Sequence, residues 1–512
     1  MTRGRIRTTA ATIAALLAAG TGAATSGPVA ASAPPTGDGG ALVVGLTVDA
    51  DTLFPWKATQ FQAVNILQNV YGTLTELDVD LNVVPGLAES WEVSDDGLTV
   101  TFHLREDVVF NDGSTFDAED VVSSFTQIQE EDNAAVAASS LAAVESVEAS
   151  DPATVVVTLS APDAALPGAL ASVNLAILSS DDTEEALTAT PNGTGPYAFD
   201  DRVASQSLTL VRNESYWGET PTLGSIEFRV IPEEASIASA LQSGNVHLAV
   251  LDDPLVAETL GGDVTVTSTP QLSYHSLMLN GRRGDLADVN VRLAIQCAID
   301  RQEVLDTAAF GEGEVTGPIT SPAFLSDPAA RPCPERDLDR AGEYLAAADK
   351  ADGVTFTAIV STGLYATSVA QAENLQAQLA DANITMEIET LESGTYIDRW
   401  VAADFDAAVA LNGGRADPDT MYGRYFTSTG NLNEVAGYAS DTLDELFAAG
   451  KASSDPDERV EIYRQVSEEL ENNAVWIWLF SSYTYTATVP GVEGFVPMTN
   501  GSLQYLRTTT IS

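Results

Sequence analysis

Apolar and polar residues alternate along some segments of the chain and recur at helical spacing along others. In residues 98–104 every second residue is apolar, which predicts a half-buried strand. The run 118–129 reads as a helix, and Asp117 directly before it predicts an N-cap. Strand-like and helix-like segments of this kind follow one another to the C-terminus, which predicts a mixed α/β fold.

The same patterns place the other elements. The predicted strands cover residues 42–48, 98–104, 155–159, 207–211, 226–230, 354–360, 385–390 and 475–480. The predicted helices cover residues 58–70, 118–129, 291–305, 338–348 and 366–382. Asn383 follows the last of these helices and fits a left-handed helix stop.

The first 33 residues carry the pattern of a secretory signal peptide. Arginines precede the short apolar run 13–19, and the small residues 31–33 supply a cleavage site. The run is far shorter than the ~20 residues needed to span a bilayer, and Thr21 stands where a lipid-anchored precursor needs cysteine. We therefore expect residues 1–33 to be removed and 34–40 to form a flexible leader. The protein is then exported, periplasmic or extracellular, without a lipid anchor.

Composition narrows the function classes. At 512 residues, with 45% hydrophobic and 19% charged residues, the chain is globular and long enough for two or three lobes. Lysine and arginine number 23 against 74 acids, a net charge of −51, which repels phosphate backbones and argues against a nucleic-acid partner. A solvated surface suited to salty surroundings explains the acidity, and attraction of a cationic ligand is the alternative.

Signatures of catalysis are missing from the sequence. Three histidines leave little material for zinc sites or Ser-His-Asp chemistry, and no GxSxG, HExxH, CxxC or phosphate-loop motif occurs. We therefore expect no enzyme, no metal site and no cofactor. Cys297 and Cys333 form an even pair in an exported chain, so a disulfide and a free core thiol are both open.

An ordered series of short motifs resembles the family 5 solute-binding proteins of ABC transporters, which include oligopeptide-, dipeptide- and nickel-binding members. The motifs are Tyr71-Gly-Thr-Leu, Pro85-Gly-Leu-Ala-Glu-Ser-Trp91, Asp96-Gly97-Leu-Thr-Val-Thr-Phe102, Val109-Phe-Asn-Asp-Gly113, Gly193-Thr-Gly-Pro-Tyr197, Asn213-Glu-Ser-Tyr-Trp-Gly218, Val291-Arg-Leu-Ala-Ile-Gln-Cys-Ala-Ile-Asp-Arg301 and Ala416-Asp-Pro-Asp419. Each motif taken alone is an ordinary turn, core or helix segment. Together they cover nearly all of the chain after the leader.

The resemblance implies a two-lobed α/β, periplasmic-binding-protein-like fold that closes on a solute as a hinged clamp, with an extra subdomain inserted in lobe I. It places lobe I at 41–70, 186–270 and 483–512, the insert at 71–185 and lobe II at 271–482. It further implies a monomer whose partners are a peptide or other small solute and the permease and ATPase subunits of an importer.

The segment that ends at Asp419 departs from the peptide-binding relatives. Those proteins commonly hold the peptide's α-ammonium with an aspartate three residues before an acidic-Pro pair, whereas Gly414 stands three residues before Asp417 here. The next residue, Arg415, offers a guanidinium suited to a carboxylate or phosphate group. We therefore predict a preference for solutes with an anionic or amine-free end. The alternative is that Arg415 only pairs with Asp417 or Asp419.

Aromatic side chains are the other candidates for the cleft, because flat amphipathic rings give contact area at small entropic cost. The candidate ligand-binding residues are Asn412, Gly414, Arg415, Trp56, Tyr274, Tyr396, Trp400 and Tyr422. For the five aromatic residues a core position is the alternative. Trp476 and Trp478 alternate within the strand predicted at 475–480 and are assigned to the core.

Three function classes remain. The resemblance favours the solute-binding component of an ABC importer, and a sensor of the same fold is indistinguishable from it in sequence. A secreted hydrolase with paired carboxylates is the third class, and no spaced motif supports it.

Overall fold

A computed structural model describes residues 39–363 and 367–512. The predicted signal peptide and all but the last two residues of the predicted leader lie outside the described residues. In the described part no helix combines the length and the apolar character that crossing a bilayer requires.

Strands and helices alternate along the chain as the pattern predicts. The strands are Ala41–Leu46, Thr75–Leu77, Val83–Pro85, Ala88–Val93, Thr99–Leu104, Val144–Asp151, Thr154–Leu159, Tyr197–Val203, Ser207–Arg212, Ser225–Val230, Leu248–Leu251, Thr265–Pro270, Tyr274–Leu279, Gly313–Val315, Val354–Ser361, Ile384–Leu391, Ala407–Asn412, Trp476–Thr488, Val492–Glu493 and Thr510–Ile511. The α-helices are Phe61–Leu67, Ala118–Gln129, Leu166–Ala169, Glu184–Ala189, Glu234–Gln242, Pro254–Glu258, Val289–Cys297, Arg301–Ala309, Leu338–Ala347, Ser368–Asp381, Ser393–Val401, Arg424–Phe426, Asn433–Ala436, Asp441–Ala452 and Pro456–Asn472.

Two local signals in the sequence are confirmed at the level of single residues. Asp117 caps the helix Ala118–Gln129, since its side chain accepts a hydrogen bond from the backbone N–H of Glu119. In return, the backbone N–H of Asp117 donates to the carboxylate of Asp120. Asn383 has φ +59°, the left-handed conformation that ends a helix.

The single helix predicted over 291–305 is wrong. The structure has two helices there, Val289–Cys297 and Arg301–Ala309. Asp300 lies between them and caps the second, since its side chain accepts a hydrogen bond from the backbone N–H of Glu303. The apolar spacing continues through the break, so periodicity alone could not reveal it.

A large sheet of two halves forms the framework of the protein. The first half-sheet has, from its edge inwards, the strands Tyr197–Val203, Ser207–Arg212, Ser225–Val230, Ala41–Leu46 and Leu248–Leu251. The second half-sheet has, from its edge inwards, the strands Ile384–Leu391, Val354–Ser361, Ala407–Asn412 and Tyr274–Leu279. Trp476–Thr488, called the crossing strand below, lies between the two and pairs with both.

The two inner strands of the second half-sheet, Ala407–Asn412 and Tyr274–Leu279, are buried on both faces. Along Ala407–Asn412, residues 407 and 409 pack into one apolar cluster, whereas residues 408 and 410 pack into another. The crossing strand alternates in the same way, with Ile477 on the first side and Trp476 and Trp478 on the second. The prediction of a buried strand around the two tryptophans is confirmed, and the continuous apolar run follows from burial on both faces.

A separate four-stranded antiparallel sheet, called the inserted sheet below, is made by residues 88–159. Its apolar side chains do not form a core of their own. Phe102 and Val155 from this sheet belong to the same buried cluster as Leu42 and Ile226 of the first half-sheet. The inserted sheet is therefore packed onto the first half-sheet through one continuous core.

Two covalent and ionic links lie inside the second half of the molecule. Cys297 is joined to Cys333 by a disulfide that spans 36 residues, and in the chain-entropy description such a loop contributes about 4 kcal/mol of stability. Close by, the fully buried Arg331 pairs with the buried Glu471 at 3.2 Å. Arg301, buried beside them, donates from Nε to the carbonyl of Trp478 at 2.9 Å.

The segment that follows the inserted sheet contacts the second half of the molecule beside a cluster of charges. The backbone N–H of Ala164 donates to the carbonyl of Lys451 at 2.9 Å, and the Lys451 ammonium lies 3.3 Å from a carboxylate oxygen of Asp419. Burial raises the pKa of Asp419 to about 6, and the nearby Asp417 and Asp163 charges add to this, whereas Lys451 opposes it. Burial also raises the pKa of Asp163.

We predict that Asp419→Asn stabilises the protein above pH 6. The folded protein binds a proton at Asp419 more tightly than the unfolded chain does, because the pKa of this carboxyl is raised from 3.8 to about 6 on folding. The contribution of Asp419 to the free energy of unfolding is therefore fully present below pH 3.8 and is lost as the pH rises through about 6. The difference corresponds to about 2–3 kcal/mol at most. Urea unfolding of both proteins from acid to neutral pH measures it.

Asp352→Asn is the control variant, because Asp352 is exposed and its replacement removes one negative charge without changing a buried group. If Asp419→Asn is as stable as the wild type, or less stable, above pH 6, then the Lys451 contact outweighs the burial of the carboxylate and the prediction is wrong.

Candidate ligand-binding site

The candidate site lies where the chain passes from one half-sheet to the other. One passage runs from Thr265–Pro270 to Tyr274–Leu279, and both of these strands pair with the crossing strand, which makes the second passage. The strand Ala407–Asn412 of the second half-sheet ends at Asn412, which is the register partner of Tyr274. Gly414 and Arg415 follow shortly after this strand. The fold therefore brings these residues to the boundary between the halves.

Gly414 is held against this passage by backbone contact. A Cβ added at Gly414 would lie 1.9 Å from the carbonyl oxygen of Leu272. Two residues further on, Ala416 packs against a small apolar cluster of Leu272, Leu81 and Met498. The position that holds an aspartate in the peptide-binding relatives therefore has no room for any side chain in this backbone.

Tyr274 and Tyr422 lie together beneath that segment. Their ring centroids are 6.0 Å apart, and both side chains are buried. The Tyr422 hydroxyl accepts a hydrogen bond from the indole N–H of Trp478 at 2.9 Å and donates to the carbonyl of Pro318. Burial raises the pKa of both tyrosines, so each hydroxyl stays neutral and can act as a donor.

The remaining predicted residues in this half are fixed by contacts with its sheet. Asn412 is buried and its amide donates to the Ser276 hydroxyl at 3.1 Å. The hydroxyl of Tyr396, also buried, donates to the carbonyl of Val409 at 2.9 Å. Trp400 is half-buried and its indole N–H points at the sulfur of Met278 at 3.3 Å.

Trp56 does not join this group. It lies in the core shared by the first half-sheet and the inserted sheet, with only 2% of its surface exposed. Its indole N–H donates to the carbonyl of Ala176 at 2.9 Å, and its ring meets Phe54 edge to face at 5.2 Å. These contacts satisfy the side chain within the core and leave almost no surface for a solute.

Arg415 is exposed and forms no hydrogen bond or ion pair within the described chain. Both acids that could neutralise it are engaged elsewhere, since Asp417 accepts from Arg459 at 2.7 Å and Asp419 lies 3.3 Å from Lys451. The surrounding protein lowers the pKa of Arg415, and the charge of Arg424 is a second cause. The alternative in which Arg415 only pairs with its acidic neighbours is therefore wrong for this structure.

Sequence reasoning missed two neighbours of Arg415. The Arg424 guanidinium lies over the ring of Tyr425, 4.8 Å from its centroid, and the Nε of Arg424 is buried without an acceptor. Arg424 carries a scarce positive charge close to Arg415 in the chain, a signal that could have found it. Tyr274, Tyr396 and Tyr422 are as buried as Trp56 and form the core beside the site. The groups that a solute can reach are the half-buried Trp400 and the positive charges of Arg415 and Arg424.

The comparisons agree with this architecture. Residues 82–433 match the family described as "Bacterial extracellular solute-binding proteins, family 5 Middle". A relative named "Probable di/tripeptide-binding protein 5", from Pseudomonas aeruginosa, is 29% identical over 444 residues, which cover 81% of this chain and 84% of that protein.

Two solved structures illustrate the match in fold. DppA from Helicobacter pylori, in complex with the peptide STSA, is 26% identical with a TM-score of 0.70, covering 92% of this chain and 98% of that one. The unliganded open form of the murein tripeptide binding protein MppA is 20% identical with a TM-score of 0.82, covering 93% and 98%. The fold is thus the two-lobed α/β fold of the periplasmic binding proteins.

Three observations agree on the family. They are the ordered motifs in the sequence, the two halves joined by neighbouring passages, and the match across residues 82–433. This chain belongs to family 5 of the bacterial extracellular solute-binding proteins, a family that binds solutes and is not one of enzymes.

Proposed function

We propose that this protein is the extracytoplasmic substrate-binding component of an ABC importer, which captures a peptide or related small solute between two lobes and delivers it to the permease. The observation that carries the proposal is the connection between the half-sheets, which consists of two neighbouring passages through residues 270–274 and the crossing strand. Two bodies joined this way can rotate about the passages with little loss of internal contact.

The bounds of the lobes are part of the proposal, and this connectivity supports them. We place lobe I at residues 41–70, 186–270 and 483–512, the inserted subdomain at 71–185 and lobe II at 271–482. A solute that touches both lobes stabilises the closed arrangement by its differential affinity for closed over open. A permease that recognises only the closed arrangement then distinguishes loaded from empty protein.

Delivery also requires export, which the N-terminal sequence supports. The sequence of residues 1–33 has basic residues, a short apolar run and small residues in that order, and Thr21 stands where a lipidated precursor has cysteine. Export as an unlipidated monomer, with permease and ATPase subunits as partners, belongs to the proposal. A sensor of the same fold would bind solute equally well, and copurification with the permease separates the two.

The contact at Gly414 supports a selectivity different from that of peptide-amine binders. Because the Leu272 carbonyl occupies the place of a Cβ, no carboxylate can extend from this position toward a peptide ammonium. The next side chain is a cation without a partner in the described chain. We therefore propose that the solute has an anionic or amine-free end.

Compaction on binding tests the hinge mechanism. Small-angle scattering of the monomer should show a smaller radius of gyration with a cognate solute than without it, because the lobes close over the solute. A solute that calorimetry shows not to bind is the control. Bound solute with an unchanged radius of gyration would contradict the hinge, and forward scattering of a dimer would contradict the monomer.

Replacing two adjacent glycines with alanine tests the close contact between Gly414 and the Leu272 backbone, which excludes a carboxylate side chain at position 414. Gly414→Ala should lower the free energy of unfolding by about 1–3 kcal/mol, because the added methyl overpacks the Leu272 backbone. Gly413→Ala is the matched control, since nothing lies within 4 Å of an added Cβ there, and it should be neutral or slightly stabilising. Equal effects in urea unfolding would mean that position 414 has room for a side chain.

Acetylation of peptides tests the selectivity. Calorimetric titration should show that unmodified di- and tripeptides bind about ten- to a hundredfold more weakly than they bind to a relative that makes the ammonium contact. This ratio corresponds to the loss of one charge-assisted hydrogen bond. N-acetylated counterparts should bind as well or better. Tight binding of free peptides that acetylation abolishes would show that another residue holds the ammonium.

A further inference from the structure

Most positive side chains in the described part of this acidic protein are paired with a carboxylate. The described residues contain twenty lysines and arginines, and fifteen of them have a nitrogen within 4.0 Å of a carboxylate oxygen. The five in this part of the chain without such a partner are Arg292, Arg301, Arg340, Arg415 and Arg424. With acids in more than threefold excess over cations, these exceptions need a reason.

Three of the five have another partner. Arg292 and Arg301 donate to backbone carbonyls, and Arg340 donates to the hydroxyl of Tyr344. Arg415 makes no hydrogen bond within the described chain, and the Nε of Arg424 is buried with no acceptor. Arg301 also has two nitrogens without an acceptor, but its side chain is buried in the core. Arg415 and Arg424 combine unused hydrogen-bonding capacity with at least partial exposure. They are nine positions apart in the chain, and the charge of Arg424 contributes to lowering the pKa of Arg415.

Their setting is the boundary between the lobes. Arg415 stands between Gly414, which touches the Leu272 backbone of one passage, and Ala416, which packs on the cluster containing Met498 from the C-terminal part of lobe I. Arg424 is close enough to Tyr274, at the start of the strand after that passage, for its charge to lower the pKa of this tyrosine, although burial, the larger effect, raises it.

Two like charges held close together without an anion destabilise the folded protein. A carboxylate of the chain would relieve the cost, and the chain has 74 acids. The acids nearest in sequence, Asp417 and Asp419, instead pair with Arg459 and Lys451. An oxyanion from solution would relieve it equally well. Guanidinium forks suit such a group because they donate two parallel N–H bonds to two of its oxygens.

We propose that Arg415 and Arg424 together form the subsite that binds the oxyanion group, a carboxylate or a phosphate, of the transported solute. This inference rests on the proposed function and specifies the chemistry of the solute's charged end. The Arg424 guanidinium lies over the Tyr425 ring, 4.8 Å from its centroid, and its Nε has no acceptor within the described chain, so this donor is left for the ligand.

The overall charge of the protein makes the pair necessary. A net charge of −51 repels anions at long range, so an anionic solute gains affinity only from cations that touch it. The repulsion is screened within about 8–10 Å at ordinary salt, whereas contacts inside a cleft are screened much less. Binding of the solute should therefore tolerate salt, provided that both arginines are present.

Thermal unfolding in simple salts tests the subsite without knowledge of the solute. The probes are sodium phosphate and sodium malonate, each against sodium chloride at equal ionic strength. The variants are Arg415→Gln, Arg424→Gln and the double variant, with Arg340→Gln as the matched control, because Arg340 also lacks a carboxylate partner in the described chain but lies on the helix Leu338–Ala347.

Wild type and Arg340→Gln should gain thermal stability from at least one of the two oxyanions beyond the effect of chloride. Each single variant should bind that anion about tenfold more weakly, the loss expected for one charge-assisted contact, and the double variant should show no excess gain. A response to malonate alone identifies a carboxylate site, and a response to phosphate alone identifies a phosphate site.

Far-UV circular dichroism checks that the variants fold, and Arg424→Lys keeps the positive charge if the glutamine variant does not fold. The lysine variant should retain a reduced gain, because a single ammonium lacks the planar fork. A full oxyanion-specific gain in the double variant, or none in the wild type, would overturn the subsite. Either result leaves the proposed function intact, because compaction by a bound solute is measured independently by scattering.

Discussion

The structure depends on one strand that belongs to both halves of the sheet. Trp476–Thr488 pairs with Tyr274–Leu279 at its beginning and with Leu248–Leu251 and Thr265–Pro270 at its end. Since side chains alternate along a strand, its register sets which residues face each core on both sides. This one strand thus ties the registers of the two half-sheets together.

The second organising constraint is the small number of positive charges, 23 lysines and arginines against 74 acids. With so few cations, nearly every one has a structural task, from the buried Arg331 against Glu471 to the Arg459 that holds Asp417. Burying an ion pair is costly unless both partners are satisfied, so these pairings leave little freedom for rearrangement. An arginine without a carboxylate is correspondingly informative in this protein, whereas in a chain of balanced charge it would mean little.

Local signals made the elements of the fold predictable, and long-range contacts were not predictable. Alternation over 98–104 and the cap at Asp117 depend on neighbours in sequence, and the structure follows them. The approach of Leu272 to Gly414 joins residues 142 positions apart, and no local pattern encodes it. The choice of Arg459 as partner of Asp417 and the burial of Trp56 likewise depend on elements far away in the chain.

The family resemblance supplied the architecture but not the packing of the inserted sheet. Because Phe102 and Val155 share one buried cluster with Leu42 and Ile226, the inserted sheet cannot be lifted out of the molecule as a module. Deleting it, or replacing it with the equivalent piece of a relative, would open an apolar face of lobe I to water. A chimera with a relative would keep this core intact only if both parts were exchanged together.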